Sequence, residues 1–247
     1  MIGASRAASG RAYQVLSTTN ITSTGTQTYT IPSGVVFIEV EMYGGGGGGG
    51  VGAVVSARGG SSTHTNGQGG GGGAYVKHKI QIVDLRKDDT LTFTVGAGGG
   101  AWINTINHGV DGGDTQLTLH KRSSSTITTF SDIIAGGGEG GRSAQAPGGG
   151  LRGEGGVAEN GNLVNTDGGD ATNRTANASS DLNGTAGGAG ADPDGGDGGS
   201  AATSNGSFGA AANAGDVPGG GGGGGASSVA TSGADGANGK VIVKAFG

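Results

Sequence analysis

The chain has 247 residues, 63 of them glycine, with 32% hydrophobic, 4% aromatic and 13% charged residues and a formal net charge of −5. Ordinary globular domains run about 45–50% apolar and about 25% charged, so this is not the composition of a packed α/β enzyme core, and its charge is too low for compositional disorder. The absence of Cys excludes a disulfide framework, a thiolate metal site and a Cys nucleophile; no apolar run is long enough to span a bilayer, and the acidic balance argues against nucleic acid.

Residues 1–20 are small and polar, with Arg6, Arg11, Tyr13, Val15 and Leu16 scattered among them. They read as an arm for attachment or oligomerisation, a frayed terminus being the plain alternative. The start lacks the apolar stretch of a secretory signal. Residues 21–135 carry nearly all the strand signal. From Val35 to Tyr43, Val36, Ile38, Val40 and Met42 alternate with Phe37, Glu39, Glu41 and Tyr43, and period two with β-branched residues is a strand. From Ala74 to Val83, Val76, Ile80 and Ile82 oppose Tyr75, Lys77 and Lys79. Setting Lys77 and Lys79 across from Glu39 and Glu41 would make favourable cross-strand pairs. Leu91, Phe93 and Val95 alternate with threonines, and Leu117 with Leu119, then Ile127, make shorter strands. Pro32-Ser33-Gly34, Lys87-Asp88-Asp89 and Asp111-Gly112-Gly113-Asp114 read as turns. No segment has helical periodicity, so the expected class is all-β, with a small antiparallel β-sandwich and essentially no α-helix.

Residues 136–239 form a glycine-rich body, and Lys240 to Phe246 (residues 240–247 with the terminus) read as a closing strand that returns to the sheet begun near Val35. Two glycine runs have seven residues each, 44–50 and 219–225, and one has five, 69–73. Elsewhere glycines fall three apart, as in Gly67-Gly70-Gly73 and Gly184-Gly187-Gly190. That spacing matches an extended left-handed helix with three residues per turn and no internal hydrogen bonds. Such helices, packed side by side, satisfy one another's backbone groups, and glycine lets their axes approach. Ordering each glycine is entropically costly, so many helices must pack together. A flexible linker would be compositionally even; here Ile133-Ile134, Leu151-Arg152 and Asn162-Leu163-Val164 punctuate the glycines.

The acid clusters are Asp111 with Asp114, Asp167 with Asp170, and Asp192, Asp194 and Asp197. They resemble calcium-binding glycine-aspartate repeats but lack the tandem copies, so calcium is the one cofactor they could hold and turn aspartates the simpler reading. The four histidines, His64, His78, His108 and His120, share no metal spacing, and His78 sits in a strand pattern as a structural residue. Nothing marks a catalytic triad or a phosphate loop, and no enzymatic activity is expected.

The run from Thr28 to Val35, then Ile38-Glu39-Val40-Glu41-Met42-Tyr43 into glycines 44–50, resembles the entry to the glycine-rich domain family. So do Gly72-Gly73-Ala74-Tyr75-Val76, the stretch from Asp89 to Gly99, and the closing Gly239-Lys240-Val241-Ile242-Val243. The one departure is Tyr43, where Trp is common. The resemblance covers about residues 25–247 and implies β-strands combined with bundled polyglycine-II helices. Family members occur in bacteriophage tail-fibre adhesins and other virion proteins, and in an animal receptor ectodomain. With no Cys and no secretory signal, the resemblance implies a virion protein of the tail fibre or tail tip. It would be held to other tail proteins by the N-terminal arm, as a monomeric cap or a homotrimer, and bind an outer-membrane protein or polysaccharide of the host. A structural virion part without receptor contact and a bacterial surface glycine-rich protein are the alternatives. Neither nucleic acid nor membrane insertion is expected.

Receptor-binding loops would be those where aromatic and amide side chains interrupt glycine, since a ring offers area at low entropy cost and an amide both donates and accepts. The candidates are Trp102, Asn104, Asn107 and His108, then Asn205 and Phe208, then His64. Trp102 could instead cap the sandwich core, and Phe208 could plug an irregular gap.

Overall fold

The structure, a computed structural model, describes residues 13–56, 62–81, 87–101, 108–121, 127–128, 133–142, 152–172, 183–191, 193–201, 214–225 and 232–247. It is all-β, with no α-helix among the described residues. The strands are β1 (Val15–Ile21), β2 (Gly25–Thr30), β3 (Phe37–Tyr43), β4 (Ala53–Ser56), β5 (Ser62–Thr65), β6 (Tyr75–Gln81), β7 (Thr90–Val95), β8 (Thr115–Lys121), β9 (Ile127–Thr128), β10 (Ile133–Ala135), β11 (Ala158–Glu159), β12 (Val164–Thr166) and β13 (Lys240–Phe246). One antiparallel sheet runs β1-β13-β3-β6-β12, and a second runs β11-β10-β8-β7-β2 with β9 on β8. The closing strand does return, pairing with β3 from Lys240↔Tyr43 to Phe246↔Phe37.

The alternation explains the packing. Ile38, Val40, Met42, Val76, Ile80, Val241 and Val243 of the first sheet meet Leu91, Phe93, Val95, Leu117 and Ile133 of the second in one buried cluster. Fully burying an aliphatic or Phe side chain contributes about 1.5–3 kcal/mol, so this cluster is what holds the sandwich. Pro32-Ser33-Gly34 and Lys87-Asp88 do turn, with Gly34 at φ +82°. Val15–Ile21 departs from the expected arm: it is the edge strand of the first sheet, and residues 1–12 of that arm lie outside the description. Uncharged β-branched and hydroxyl residues suit that edge, and the bulge between Val15 and Ser17 accommodates its end.

The strands do not stop at the sandwich. β3 continues into segment 44–50, segment 67–74 into β6, and β7 into 96–101. Likewise 109–114 leads into β8, β10 into 136–142, 153–157 into β11, β12 into 167–172, and 233–239 into β13. Each continuation is an extended glycine-rich segment bonded only to its neighbours. Segment 44–50 shows the rule. Gly44, Gly47 and Gly50 donate to Ala74, Gly71 and Gln68; Gly45 and Gly48 to Gly113 and Val110; Gly46 and Gly49 to Ala237 and Ala234. Its carbonyls accept from Gly138 and Gly141, from Gly99, and from Gly222 and Gly225. Every third residue therefore faces the same partner, and one segment has six neighbours, three antiparallel and three parallel, as three residues per turn require.

Segments 67–74 and 219–225 are likewise surrounded, and these three interior segments touch one another. Around them the perimeter runs in chain order through 96–101, 109–114, 136–142, 153–157, 167–172, 184–191, 195–200 and 214–217, and 233–239 closes the ring. The all-glycine runs are thus the interior of a hexagonal lattice, and the glycines spaced by three belong mainly to its rim. Asp111-Gly112-Gly113-Asp114 is no turn: it is extended, with Gly112 N–H donating to Gly138 O at 2.8 Å and Gly113 N–H to Ala97 O at 2.8 Å. The expected split into a sandwich over 21–135 and a bundle over 136–239 is not a split in space. The bundle takes four segments from before residue 136, and β11 and β12 come from after it.

Candidate functional site

The lattice sorts the connections between segments. Segments 44–50, 96–101, 136–142, 167–172, 195–200 and 219–225 run away from the sandwich, and the segment after each returns to it. The farthest rungs sit level: Gly50 N–H to Gln68 O at 2.8 Å, Gln68 N–H to Arg142 O at 3.1 Å and Gly67 N–H to Gly225 O at 2.9 Å. The connections 51–66, 102–108, 143–151, 173–182, 202–213 and 226–231 all leave and re-enter at this distal end. The first and last described residues lie the other way. Gln14 and Gly247 exchange backbone bonds of 3.0 Å beside Phe37 and Phe246, at the opposite pole of the sandwich.

All seven candidate residues belong to three of these distal connections. Trp102, Asn104, Asn107, Asn205 and Phe208 lie outside the described residues. The flanks Ala101 and His108 stand at the distal end, with Ala101 N–H held by Asp235 Oδ1 at 2.6 Å, and His108 is exposed. His64 lies in β5 opposite Val54 of β4, in the distal hairpin.

The acid clusters do different work from that expected. Asp111 Oδ1 accepts from Gly140 N–H at 2.7 Å and Asp114 Oδ1 from Gly137 N–H at 2.9 Å. Asp167 Oδ1 accepts from Ala158 N–H at 2.8 Å, and Asp170 Oδ1 from Gly155 N–H at 3.0 Å while its Oδ2 pairs with Arg152 at 2.6 Å. Asp235 and Asn238 repeat the pattern on Ala101 and on Gly98, the latter at 2.8 Å. In this arrangement they act as side-chain acceptors for the backbone of a neighbouring segment rather than as turn residues. Asp192 lies outside the description, and Asp194 stands beside Tyr43. Among the described residues no group of three or more His, Cys, Asp or Glu is placed to hold a metal ion.

The outer face of the first sheet holds the predicted charge pairs, with Glu39 opposite Lys79 and Glu41 opposite Lys77. The two shorter ion pairs run diagonally. Lys77 Nζ lies 2.9 Å from Glu39 and 3.3 Å from Glu41, which also takes Lys244 at 2.8 Å. Lys79 instead sits 3.8 Å from the centre of the Phe37 ring. Burial alone would lower the Lys77 pKa, but the two carboxylates outweigh it and raise the value. Tyr43 and Tyr75 pack ring to ring at a tilt of 43° where sheet meets bundle, and burial, then neighbouring negative charge, pushes both phenols above their ordinary range. Lys77 and Lys244 thus balance Glu39 and Glu41, and the tyrosine pair joins the sheet to the bundle. The role of Lys244 escaped the sequence reading because its partner is 203 positions away.

A family model described as a glycine-rich domain matches residues 21–246. No curated protein matches the chain. The chain belongs to the glycine-rich domain family.

Proposed function

We propose that this glycine-rich domain protein is a bacteriophage virion adhesin of the tail fibre or tail tip, which reads the host surface with its distal connections. The observation that carries the reading is the polarity of the chain: six connections at one end, both described chain ends at the other. The distal connections are rich in Ser, Thr and Asn and contain the chain's only Trp, a chemistry suited to sugars and to outer-membrane protein loops. Interior segments bury backbone rather than side chains, so a connection can change its sequence without removing a core residue. At the opposite pole Tyr13, Val15 and Leu16 are exposed apolar residues next to the N-terminal segment, a surface for other tail proteins or for further copies of the chain.

The test is flow cytometry of the labelled, folded protein on a panel of bacterial strains. Saturable binding to a subset of strains, lost in Trp102→Ala or Phe208→Ala with the melting temperature unchanged, is the expected result. A folded protein that binds no strain and instead captures tail components would replace this reading with a structural virion part. Export-dependent display on uninfected cells would replace it with a bacterial surface protein.

A further inference from the structure

Three seams of the bundle perimeter carry the same device. Asp111 and Asp114 of one segment hold Gly140 and Gly137 of the next. Asp167 and Asp170 hold Ala158 and Gly155, and Asp235 and Asn238 hold Ala101 and Gly98. In each seam the two acceptors are three residues apart, one turn of a polyglycine helix, and the two donors are three apart in the antiparallel direction. The sequence writes this as Asp-Gly-Gly-Asp at 111–114 and 167–170 and as Asp-Gly-Ala-Asn at 235–238.

The donors that are held are the ones that no glycine segment reaches. In 136–142, Gly138 and Gly141 donate inward to 44–50, and Gly136 and Glu139 donate to 153–157. Of residues 136–141 only Gly137 and Gly140 remain, and those are the two that Asp114 and Asp111 take. In 96–101, Gly99 donates inward to Gly46, while Asn238 and Asp235 take Gly98 and Ala101. In the 153–158 stretch, Gly153 and Gly156 donate inward to Gly69 and Gly72, while Asp170 and Asp167 take Gly155 and Ala158. In an interior segment the equivalent row binds another glycine helix, as Gly45 and Gly48 bind 109–114. A bare row on the perimeter would offer the same donors to a helix from elsewhere. This is the hazard of an open sheet edge, repeated in a hexagonal lattice.

We infer that the paired Asp and Asn residues are lattice terminators: they close outward N–H rows that would otherwise bind the polyglycine perimeter of a second copy of this chain. The partner excluded is this same protein, because its perimeter presents carbonyls at the same three-residue spacing. The acceptor oxygen does the closing, so Asn serves as well as Asp, and position 238 carries Asn.

Sedimentation velocity over a wide concentration range tests this on the full chain, with wild type, D111A/D114A and D111N/D114N compared. The expected result is a concentration-dependent rise in sedimentation coefficient for the alanine pair alone, with the asparagine pair sedimenting as wild type. In the associated alanine protein, the Gly137 and Gly140 amides should regain protection from hydrogen exchange that they lack at high dilution. A folded alanine pair that sediments as wild type at every concentration overturns the inference. An asparagine pair that associates as strongly as the alanine pair also overturns it, in favour of charge repulsion. D235A/N238A opens a separate seam should the first pair not fold. Failure of both alanine pairs to fold overturns it as well, since the clips would then hold the bundle itself together.

Discussion

The sandwich and the bundle are made by one chain but ordered by opposite means. In the sandwich, Ile38, Val40, Phe93 and Leu117 are buried side chains facing one another across two sheets. In the bundle, residues 44–50 are as buried, yet they have no side chains. Their stability comes from rungs such as Gly47 N–H to Gly71 O at 2.9 Å, each contributing about 0.5–1.5 kcal/mol net. The glycines also lose more conformational freedom on folding than any other residue. The consequence is a difference in tolerance: the sandwich is sensitive to removing atoms, and the interior of the bundle to adding them.

The strongest way to break the comparison is one methyl group in the lattice. A Cβ at Gly47 would be forced into the backbone carbonyl of Glu139, which cannot swing aside as a flexible side-chain end could. Gly47→Ala should therefore cost more than about 4 kcal/mol, the range reserved for severe packing faults, and abolish cooperative melting. Gly100, on the perimeter, has open space where its Cβ would go. Gly100→Ala should be neutral or stabilising by up to about 1 kcal/mol through the unfolded state. Equal effects at the two positions, read by chemical denaturation, would show that the lattice is loose rather than close-packed. The next largest effect belongs to the sandwich. Phe93 is fully buried, and Phe93→Ala should cost about 3–5 kcal/mol, whereas Phe93→Leu, which keeps most of the volume, should cost less than about 1.5 kcal/mol. No comparably mild replacement exists for Gly47.

Much of this was legible in the residues for stated reasons. Period two at Phe37–Tyr43 and Tyr75–Gln81 located the central strands because their alternating aliphatic residues face the second sheet. Glycine at intervals of three located the helices because three residues make a turn. The long runs were the interior because only there do all three directions need glycine. The chain could not show by periodicity that Val15–Ile21 is a strand: its hydroxyls and Asn20 pair by backbone at an edge, with little burial to impose alternation. Nor could it show which residues the aspartates hold. Asp111 reaches Gly140 and Asp235 reaches Ala101, 29 and 134 positions away, through the winding order of the perimeter rather than any local rule. For the candidate site, composition pointed to connections between segments, and topology supplied what composition lacked: that the described flanks of those connections stand at one end of the bundle.

The smallest predicted effect asks whether the two regions unfold as one. His78 lies on β6, and its Nδ1 is buried without a hydrogen-bond partner. Burial lowers its pKa below the ordinary 6.5, a shift that a backbone bond at Asn160 only partly offsets. On acidification the unfolded chain takes up the proton first. The stability from a neutral His78 is full above about pH 6.5 and is lost as the pH falls through the folded value. Melting temperature should drop by a few degrees from about pH 7.5 to about pH 5.5 in wild type, and by less in His78→Leu. β6 is the unbroken continuation of segment 67–74, which reaches the middle of the lattice through Gly70 N–H to Gly222 O at 2.9 Å. Loosening the strand should therefore reach the helices. Near-ultraviolet signals from Tyr43 and Tyr75 at the junction, and exchange of glycine amides in 44–50, should shift together with pH if one cooperative unit spans both. Glycine amides that keep their protection after the tyrosine signal has melted would make sandwich and bundle separate units. The polyglycine lattice would then be able to stand without the core on which it is seated.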